Sequence, residues 1–526
     1  MSVNQLAFLI LVFGSLFLYY LAPKKYQWAV LLAISLLFYR LMGVRCFLYV
    51  LLTSLSLTLG TRKMQSLSDG LDAQLEKEKG LTRKEKKEKK ELVKSRKRRW
   101  LVGILVVNLG LLIVLKYGNF LIANINGLLG MVGIDPLNRL GIAAPLGISY
   151  YTLQSIGYGL EVYKGKVQAE KNPLKVLLFV TYYPQMTQGP IGRYPDLAPQ
   201  LFSGHRFEYQ NLAKGCELIL WGLFKKAVIA DNMRPLVKNI FGNYDQYGGM
   251  TLLLGCVYMA VQMYADFSGY SDLVIGISRL YGIQMMENFR RPFFSLSLGE
   301  YWRRWHISLS SWFRDYVFYP ASISKGALRF GRFGQRHFSP RIKKVFPVVY
   351  AMSIVWFCTG LWHDASWRYI LWGVANGVIL IAGVLLEPQF TWIKKKLHIN
   401  EEAWWWKGFC ILRTFLIVAL LKVFPGAGTT GQSLDIARRI LLDFNFSLSR
   451  SALLPQMRLY TVIYVCAGLL ILFFVSLIQE RKGSMSLWLA ERPAALKWAF
   501  YLLLLFMLMY MGKYDSLAGG FEYAQF

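Results

Sequence analysis

The sequence predicts an all-α polytopic membrane protein. Of its 526 residues, 55% are hydrophobic, which is too apolar for a soluble globule of this length. Several apolar stretches reach or approach the roughly 18–20 residues that a helix needs to cross a bilayer. Some of these stretches are interrupted by glycine, proline and asparagine, which favours additional short helices. We therefore expect a single membrane domain with about 11–12 spans plus re-entrant and interfacial helices.

The apolar stretches place the spans along the chain. They lie near residues 6–22, 28–42, 46–60, 101–116, 212–230, 249–282, 346–362, 367–386, 408–424, 458–478 and 495–512. The first stretch has no basic segment before it and ends at Pro23. We therefore interpret it as a retained helix and not as a cleaved signal peptide.

The formal charge of +31 is explained by orientation in the membrane. Basic residues concentrate in cytoplasmic loops of membrane proteins, which argues against a nucleic-acid partner. Residues 61–99 are therefore expected to form a charged cytoplasmic loop, either a solvated helix or partly disordered. Residues 321–344 carry seven Lys or Arg and no acid, so they are also expected in the cytoplasm. This count predicts a multi-pass plasma-membrane protein with both termini extracytoplasmic.

Residues 119–195 break the apolar pattern repeatedly. Non-helical backbone at membrane depth persists only where protein or a water-filled cavity surrounds it. We expect re-entrant or short helices here, lining a cavity, and an ordinary extramembrane loop is the alternative. A second break is expected at Gly269, which separates Asp266 and Asp272. These carboxylates are interpreted as structural partners of freed backbone N–H groups or of an arginine in 289–314, with direct catalysis as the alternative.

Residues 288–320 resemble interfacial amphipathic helices. One aromatic and apolar stripe repeats at helical spacing, and it consists of Trp302, Trp305, Leu309, Trp312 and Tyr316. The arginines of this segment lie off the stripe at Arg303, Arg304 and Arg314. These arginines suit a phosphate-bearing ligand and equally suit anionic lipid headgroups.

Two of the five histidines lie in exceptional surroundings. His363 follows a long apolar run, where an ionisable residue indicates function by default. His306 lies between arginines and tryptophans. The structural alternative for His363 is a core histidine bonded to backbone, and that for His306 is an interfacial histidine that orients its helix. The six cysteines are scattered without a CxxC pair, so we expect no metal site and no disulfide framework.

Several motifs together resemble the membrane-bound O-acyltransferase (MBOAT) family. They are NFRRPF at 288–293, YWRRWHISLS at 301–310, WFRDY at 312–316 and GLWH at 360–363, with upstream support from PLGIS at 145–149, QGPIGRY at 188–194 and DFSGYSD at 266–272. Within this family they are similar to the bacterial branch of alginate O-acetyltransferases and teichoic-acid D-alanyl transferases. The resemblance implies helices arranged around a funnel, with the catalytic histidine on a hairpin over 346–386.

The resemblance also implies roles for individual residues. His363 is expected to act as the base of O-acyl transfer, and His306 to lie near the catalytic centre or to shape the donor tunnel. Residues expected to line that tunnel are Trp302, Arg303, Arg304, Trp305, Ser310 and Arg314. The expected donor is coenzyme A or an acyl carrier protein with a phosphopantetheine arm, and no cofactor is expected to stay bound. Asp364 departs from the small residue usual after GLWH.

The resemblance further implies an acceptor outside the cell. An acetyl group is the expected cargo, and a polysaccharide or teichoic acid the expected acceptor, helped by a secreted or membrane-anchored acyltransferase partner. The tail 513–526 ends in FEYAQF, like acetylases of this branch. Tyr523 is expected to carry the acyl group transiently, and anchoring in the interface is the alternative. Alternative functions are D-alanyl transfer to teichoic acid, lipid acylation, and a transporter or flippase.

Overall fold

The computed structural model describes residues 6–78, 80–142, 145, 147–186, 188–338, 340, 342–446, 448–449 and 459–513. Regular structure in this part of the chain is helical, apart from one isolated antiparallel bridge between Phe289 and Trp305. The predicted all-α class is therefore confirmed. Tyr523 lies outside the described residues.

The helices fall into two compact units. One comprises the residues up to Gly215 together with Ile277–Met286, and the other comprises Cys216–Gly276 and the residues from Glu287 onward. In chain order the helices are α1 (Leu6–Leu21), α2 (Gln27–Met42), α3 (Val44–Lys77), α4 (Arg83–Leu112), α5 (Gly118–Met131), α6 (Ile148–Tyr163), α7 (Pro173–Thr181), α8 (Tyr194–Phe202), α9 (Tyr209–Leu223), α10 (Asp231–Gly242), α11 (Gly249–Leu280), α12 (Leu298–Arg304), α13 (Ile307–Phe313), α14 (Tyr319–Ser322), α15 (Lys325–His337), α16 (Ile342–His363), α17 (Trp367–Leu385), α18 (Glu387–Lys396), α19 (Trp404–Leu420), α20 (Val423–Gly426), α21 (Thr430–Leu441), α22 (Leu459–Lys482), α23 (Met485–Ala490) and α24 (Ala494–Met511). The prediction of a single membrane domain stays a prediction.

Eight helices of the described residues are long and apolar enough to cross a membrane. They begin at Val44, Arg83, Gly249, Ile342, Trp367, Trp404, Tyr460 and Ala494. The sequence-based count of about 11–12 is higher because it includes α1, α2 and the region 212–230. The first two have 16 residues each, which rise only about 24 Å against a hydrocarbon core of about 30 Å. The third carries Lys225 and Lys226.

The charged segment 61–99 is helical in the first unit. The third span and its charged extension form one helix, α3, of 34 residues. After a short turn, α4 starts with Thr82 as its N-cap, whose hydroxyl accepts from the Glu85 N–H at 3.3 Å. It then runs through a π-helical turn into α5, so helix continues to Met131. Two expectations are thereby corrected: the partly disordered loop, and irregular structure starting at residue 119.

Short helices follow, as expected, and they are packed in the core. Thirteen of the sixteen residues of α6 are buried, and six of the nine in α7. Glutamine side chains satisfy the backbone where these helices end. Gln154 donates to the Phe179 carbonyl at 2.7 Å, and Gln185 donates to the Gln154 side-chain oxygen at 2.8 Å. Such bonding lets interrupted helices stay buried, so α6 and α7 do not form an ordinary loop, and their position at membrane depth stays a prediction.

The expected break at Gly269 is absent, because α11 is continuous through it. The glycine serves helix packing in the second unit. A Cβ at Gly269 would lie 2.8 Å from the Gly222 carbonyl oxygen, and one at Gly222 would lie 2.5 Å from the Gly269 carbonyl oxygen. The two backbones approach too closely for any side chain at either position.

The expected aromatic stripe is not carried by one helix. The chain leaves α12 at Trp305, which is extended, and re-enters α13 after His306, which is left-handed. Trp302 and Tyr316 are therefore on separate helical segments. Trp305 and Trp312 are buried in the protein, so the stripe is largely a core feature and not a lipid-facing one.

The hairpin over 346–386 matches the prediction. It consists of α16 and α17, joined by a short turn after His363. Gly360 and Gly373 allow the two helices to touch. A Cβ at Gly360 would lie 2.5 Å from the Tyr369 carbonyl oxygen, and one at Gly373 would lie 2.4 Å from the Trp356 carbonyl oxygen. Close packing explains the glycine of the GLWH motif, and it holds His363 at the end of a rigid pair.

Candidate active site

A strained turn in the second unit positions His306. Its backbone lies in the left-handed region at φ 46° and ψ 55°, where side chains other than glycine are uncommon. Hydrogen bonds to an extended segment hold this conformation. Arg290 N–H donates to the Arg304 carbonyl at 2.8 Å, and Ile307 N–H donates to the Asn288 carbonyl at 3.0 Å. Backbone strain of this kind is frequent at functional sites.

Asn288 determines which ring nitrogen of His306 carries the proton. Its side-chain Oδ1 lies 3.2 Å from His306 Nδ1 and accepts from the Ser308 backbone N–H at 3.1 Å. A backbone N–H can only donate, so the amide atom it meets must be oxygen. Nδ1 of His306 is therefore the donor to Asn288, and the neutral ring keeps its lone pair on Nε2.

The His306 ring is enclosed by aromatic side chains. Only 1% of the residue is exposed, and Phe267 contacts the ring edge-to-face with centroids 4.8 Å apart. The Trp362 ring lies 6.0 Å away. Burial disfavours the charged form and lowers the pKa of His306 to about 3. This imidazole is therefore neutral at physiological pH.

His363 is the last residue of α16, and 6% of it is exposed. Its ring contacts Trp372 edge-to-face at 4.9 Å and faces Tyr369 at 6.1 Å. The neighbouring carboxylate of Asp364 lies 3.8 Å from the Arg368 guanidinium. Arg368 therefore compensates the negative charge of Asp364, which stands where a small residue usually follows the histidine.

Both histidines line one cavity of about 770 Å³ in the second unit. The walls include every residue that the sequence placed in a donor tunnel, namely Trp302, Arg303, Arg304, Trp305, Ser310 and Arg314. The remaining walls include apolar side chains of α16, among them Trp356, and the charged side chains of Arg290, Arg291 and Glu300. The structure thus brings the two histidines and the six tunnel residues together. Their roles stay predictions.

The arginines around this cavity differ in their partners. Arg304 is bound to Glu480 at 2.8 Å and to Glu300 at 2.7 Å. Arg314 bonds Asp315 through its Nε at 2.8 Å. Arg303 is exposed, and no described carboxylate pairs with it. It is therefore the cation of this set that is available to a ligand.

Asp266 and Asp272 lie beside lysines, and this corrects the expected arginine or backbone partners. A π-helical turn over Phe224–Ala230 carries both lysines. Lys226 meets Asp231 at 2.8 Å and Asp266 at 2.7 Å, and Lys225 meets Asp272 at 2.8 Å. The structural interpretation of the two carboxylates is favoured, since the lysines engage both.

Sequence reasoning missed several residues of the site. Asn288 begins the motif NFRRPF, but nothing in the sequence indicated that its side chain bonds to His306. Glu480 also escaped notice, although it is the residue that joins Arg304 and Arg291, at 2.8 Å and 2.7 Å. The available signal was a charged residue next to a long apolar stretch. Lys225 and Lys226, which lie within the apolar stretch 212–230, were charged residues of the same kind.

His306→Ala is expected to reduce acyl transfer by roughly 10²-fold, the lower range for a positioned proton-transfer group. The variant removes the imidazole, which lines the same cavity as His363. Initial rates at several donor concentrations provide the measurement. Asn288→Asp is the companion variant, since it keeps an acceptor for Nδ1. Unchanged turnover in His306→Ala at all donor concentrations would leave this histidine with a structural role only.

A scan against protein-family models matches residues 166–332 to the membrane-bound O-acyltransferase family. The matched segment includes His306 and the arginines around the cavity. It ends before His363.

Curated relatives extend the match beyond that segment. A probable alginate O-acetylase of Azotobacter vinelandii is 36% identical over 54% of this chain and 53% of its own length. A peptidoglycan O-acetyltransferase of Helicobacter pylori is 30% identical over 65% of this chain and 64% of its own length. A teichoic acid D-alanyltransferase of Streptococcus thermophilus is 32% identical over 53% of this chain and 68% of its own length. The chain therefore spans only about half the length of the alginate O-acetylase relative.

Proposed function

Because this chain belongs to the membrane-bound O-acyltransferase family, we propose that it transfers an acyl group from a thioester to a hydroxyl of a cell-envelope polymer. The observation that carries the proposal is the cavity of about 770 Å³ into which both His306 and His363 face. A cavity of this size accommodates a small acyl thioester with part of its carrier arm.

The donor is proposed to enter from the cytoplasm. Arginines line the cavity, and basic residues mark the cytoplasmic side of membrane proteins. Arg303 is proposed to bind a phosphate of coenzyme A or of a phosphopantetheine arm, since Arg304 and Arg314 are engaged with carboxylates. An anionic lipid headgroup is the competing ligand for this guanidinium.

His363 is proposed to remove the proton from the acceptor hydroxyl. The hydroxyl oxygen then attacks the thioester carbonyl carbon, and the C–S bond breaks. The imidazolium returns its proton to the departing thiolate, so the products are an ester and a thiol. The neutral His306 lies on the same cavity with its tautomer held by Asn288. We place it beside the reacting thioester, as a neutral ring whose Nε2 can accept a hydrogen bond.

The proposed cargo is acetyl and the proposed acceptor an exported polysaccharide. The names of two relatives, an alginate O-acetylase and a peptidoglycan O-acetyltransferase, support this choice. D-alanyl transfer to teichoic acid remains the second candidate, because a D-alanyltransferase matches over 68% of its length. A secreted or membrane-anchored acyltransferase is the proposed partner that completes delivery outside the cell.

An assay with reconstituted protein tests the proposal. Vesicles containing the protein are supplied with acetyl-coenzyme A, an acetyl carrier protein or a D-alanyl carrier protein, and release of the free thiol is followed alongside ester formation. We expect an acetyl thioester to be consumed faster than the D-alanyl thioester. Faster use of the D-alanyl thioester would establish the second candidate, and inactivity toward all three donors would overturn acyl transfer.

Tyr523→Phe is expected to abolish polymer acylation and to reduce consumption of the donor thioester to background hydrolysis, because the first acceptor hydroxyl is then missing. We propose that the Tyr523 hydroxyl accepts the acyl group as an ester and passes it on, because one side chain cannot carry it across about 30 Å of hydrocarbon. The substitution keeps the ring and removes only the nucleophile. Mass spectrometry of the C-terminal peptide should detect the ester. Full polymer acylation by the variant would leave membrane anchoring as the role of the tail.

A further inference from the structure

Lys422 is a buried cation of the second unit, located between α19 and α20. Its exposed fraction is 4%. The ammonium Nζ lies 3.3 Å from Met263 Sδ and 5.2 Å from the centre of the Trp305 ring. A thioether is a weak acceptor and an indole ring attracts a cation only through its π face. Neither carries a negative charge.

The other two buried lysines of the described residues have different surroundings. Lys225 and Lys226 each meet a carboxylate oxygen at 2.8 Å or less. No described carboxylate lies within ion-pair distance of Lys422. A buried ammonium without an anion is unfavourable, so an anion from a ligand would complete this site.

A second cavity, of about 290 Å³, lies in the same unit, and Lys422 is not itself among its lining residues. Met263 contacts Lys422 and also lines this cavity, as do Pro425 and Gly426 of α20. Methionine side chains are flexible, and a different rotamer of Met263 is what would expose the ammonium to this cavity. Polar side chains line the same cavity: Gln262, Asp266 and Gln432 suit sugar hydroxyls, and the exposed Lys238 is a second cation.

Both histidines of the active site are connected to this region. Trp305, which Lys422 faces, precedes His306 and lines the 770 Å³ cavity. On the other side, the Ala427 carbonyl accepts from Arg368, which pairs with Asp364 next to His363. Residues on either side of Ala427 line the 290 Å³ cavity. Lys422 thus contacts one lining residue of each cavity.

We propose that Lys422 is a specificity-determining residue that binds an anionic oxygen group of the acceptor polymer in the 290 Å³ cavity. The group is a carboxylate or a phosphate, and its charge replaces the missing protein carboxylate. The inference rests on the proposed acyl transfer and narrows it to anionic, hydroxyl-bearing acceptors. Alginate and teichoic acid, in the names of two relatives, are polymers of these two kinds.

Direct binding tests the inference without the need for transfer. Thermal unfolding of the full chain in detergent is measured with oligomers of a uronic acid, of glycerol phosphate or of neutral glucose. The quantity compared is the oligomer concentration that gives half-maximal stabilisation. For the unsubstituted protein, we expect this concentration to be about tenfold lower, or lower still, for one anionic oligomer than for the neutral one. The uronic acid and glycerol phosphate series distinguish a carboxylate from a phosphate.

Three variants complete the experiment. Lys422→Met should lose the preference for anionic oligomers, and Lys422→Arg should keep most of it. Lys396→Met is the matched control, because Lys396 also lies over a tryptophan, Trp392, at 4.9 Å, but on an exposed helix. It should bind like the unsubstituted protein.

Two results would overturn the role of Lys422. The first is an unchanged preference for anionic oligomers in Lys422→Met. The second is equal binding of anionic and neutral oligomers by the unsubstituted protein, and this result can be obtained even if Lys422→Met does not fold. Failure of the proposed function is a separate result. In that case the protein transfers no acyl group from any thioester, whether or not the preference for anions depends on Lys422.

Discussion

His363→Ala is expected to lower acyl transfer by about 10²- to 10⁴-fold, the contribution of a positioned general base. The side chain lies at the end of α16, packed against Trp372, and faces the 770 Å³ cavity. The adjacent carboxylate of Asp364 does not take its place, since it is engaged with Arg368. Ester formation from a labelled thioester, measured with the purified variant in vesicles, provides the test.

The matched control for this prediction is His337→Ala. His337 is exposed on α15, and its Nδ1 lies 2.9 Å from the Phe333 carbonyl of the same helix. Activity should be unaffected by its loss. His363→Ala should unfold at nearly the temperature of the unsubstituted protein. Near-normal product formation by a folded His363→Ala protein would remove this residue from the chemistry and leave His306 as the remaining candidate base.

Lys226→Met is expected to destabilise the protein by about 3–5 kcal/mol, the typical cost of breaking a buried ion pair. The Lys226 ammonium lies between the carboxylates of Asp231 and Asp266, and the side chains of all three are at most 2% exposed. Without the lysine, both buried carboxylates lose the ammonium that lies between them. The free energy of unfolding, measured in mixed detergent micelles, should fall accordingly.

Two further variants separate charge from packing in this cluster. Lys225→Met should cost less, because its partner Asp272 is 23% exposed and water can solvate the carboxylate that remains. Adding Asp231→Asn and Asp266→Asn to Lys226→Met should restore most of the lost stability, since the cluster is then neutral. A Lys226→Met protein no less stable than Lys225→Met would contradict the proposed cost of losing these buried ion pairs.

Composition and local pattern predicted the class of the protein, and the family resemblance predicted residues that line its 770 Å³ cavity. The hairpin of α16 and α17 follows from two apolar runs around a short polar turn, and hydrophobic transfer makes such runs recognisable without a structure. The tunnel residues from Trp302 to Arg314 are close in sequence, so local geometry brings them near one another. Together with His363 they line one cavity.

Local pattern failed where a long-range contact decides the outcome. The stripe of aromatic residues predicted one helix over Trp302 and Tyr316, but hydrogen bonds to the segment around Asn288 hold His306 in a left-handed conformation and break that helix. From its local sequence, Gly269 predicted a break in α11. The structure shows instead that its backbone approaches Gly222 closely, which could not be predicted from the residues next to either glycine.

The sequence by itself determined an apolar, multi-helical membrane protein with two histidines in a family motif, because hydrophobic run length and short motifs are properties of neighbouring residues. Only the tertiary structure decided the partners of the buried charges. Asp266 meets Lys226 across 40 positions of the chain, and Arg304 meets Glu480 across 176. The cost of burying an unpaired charge requires that some partner exist, but the packing of helices chooses which one.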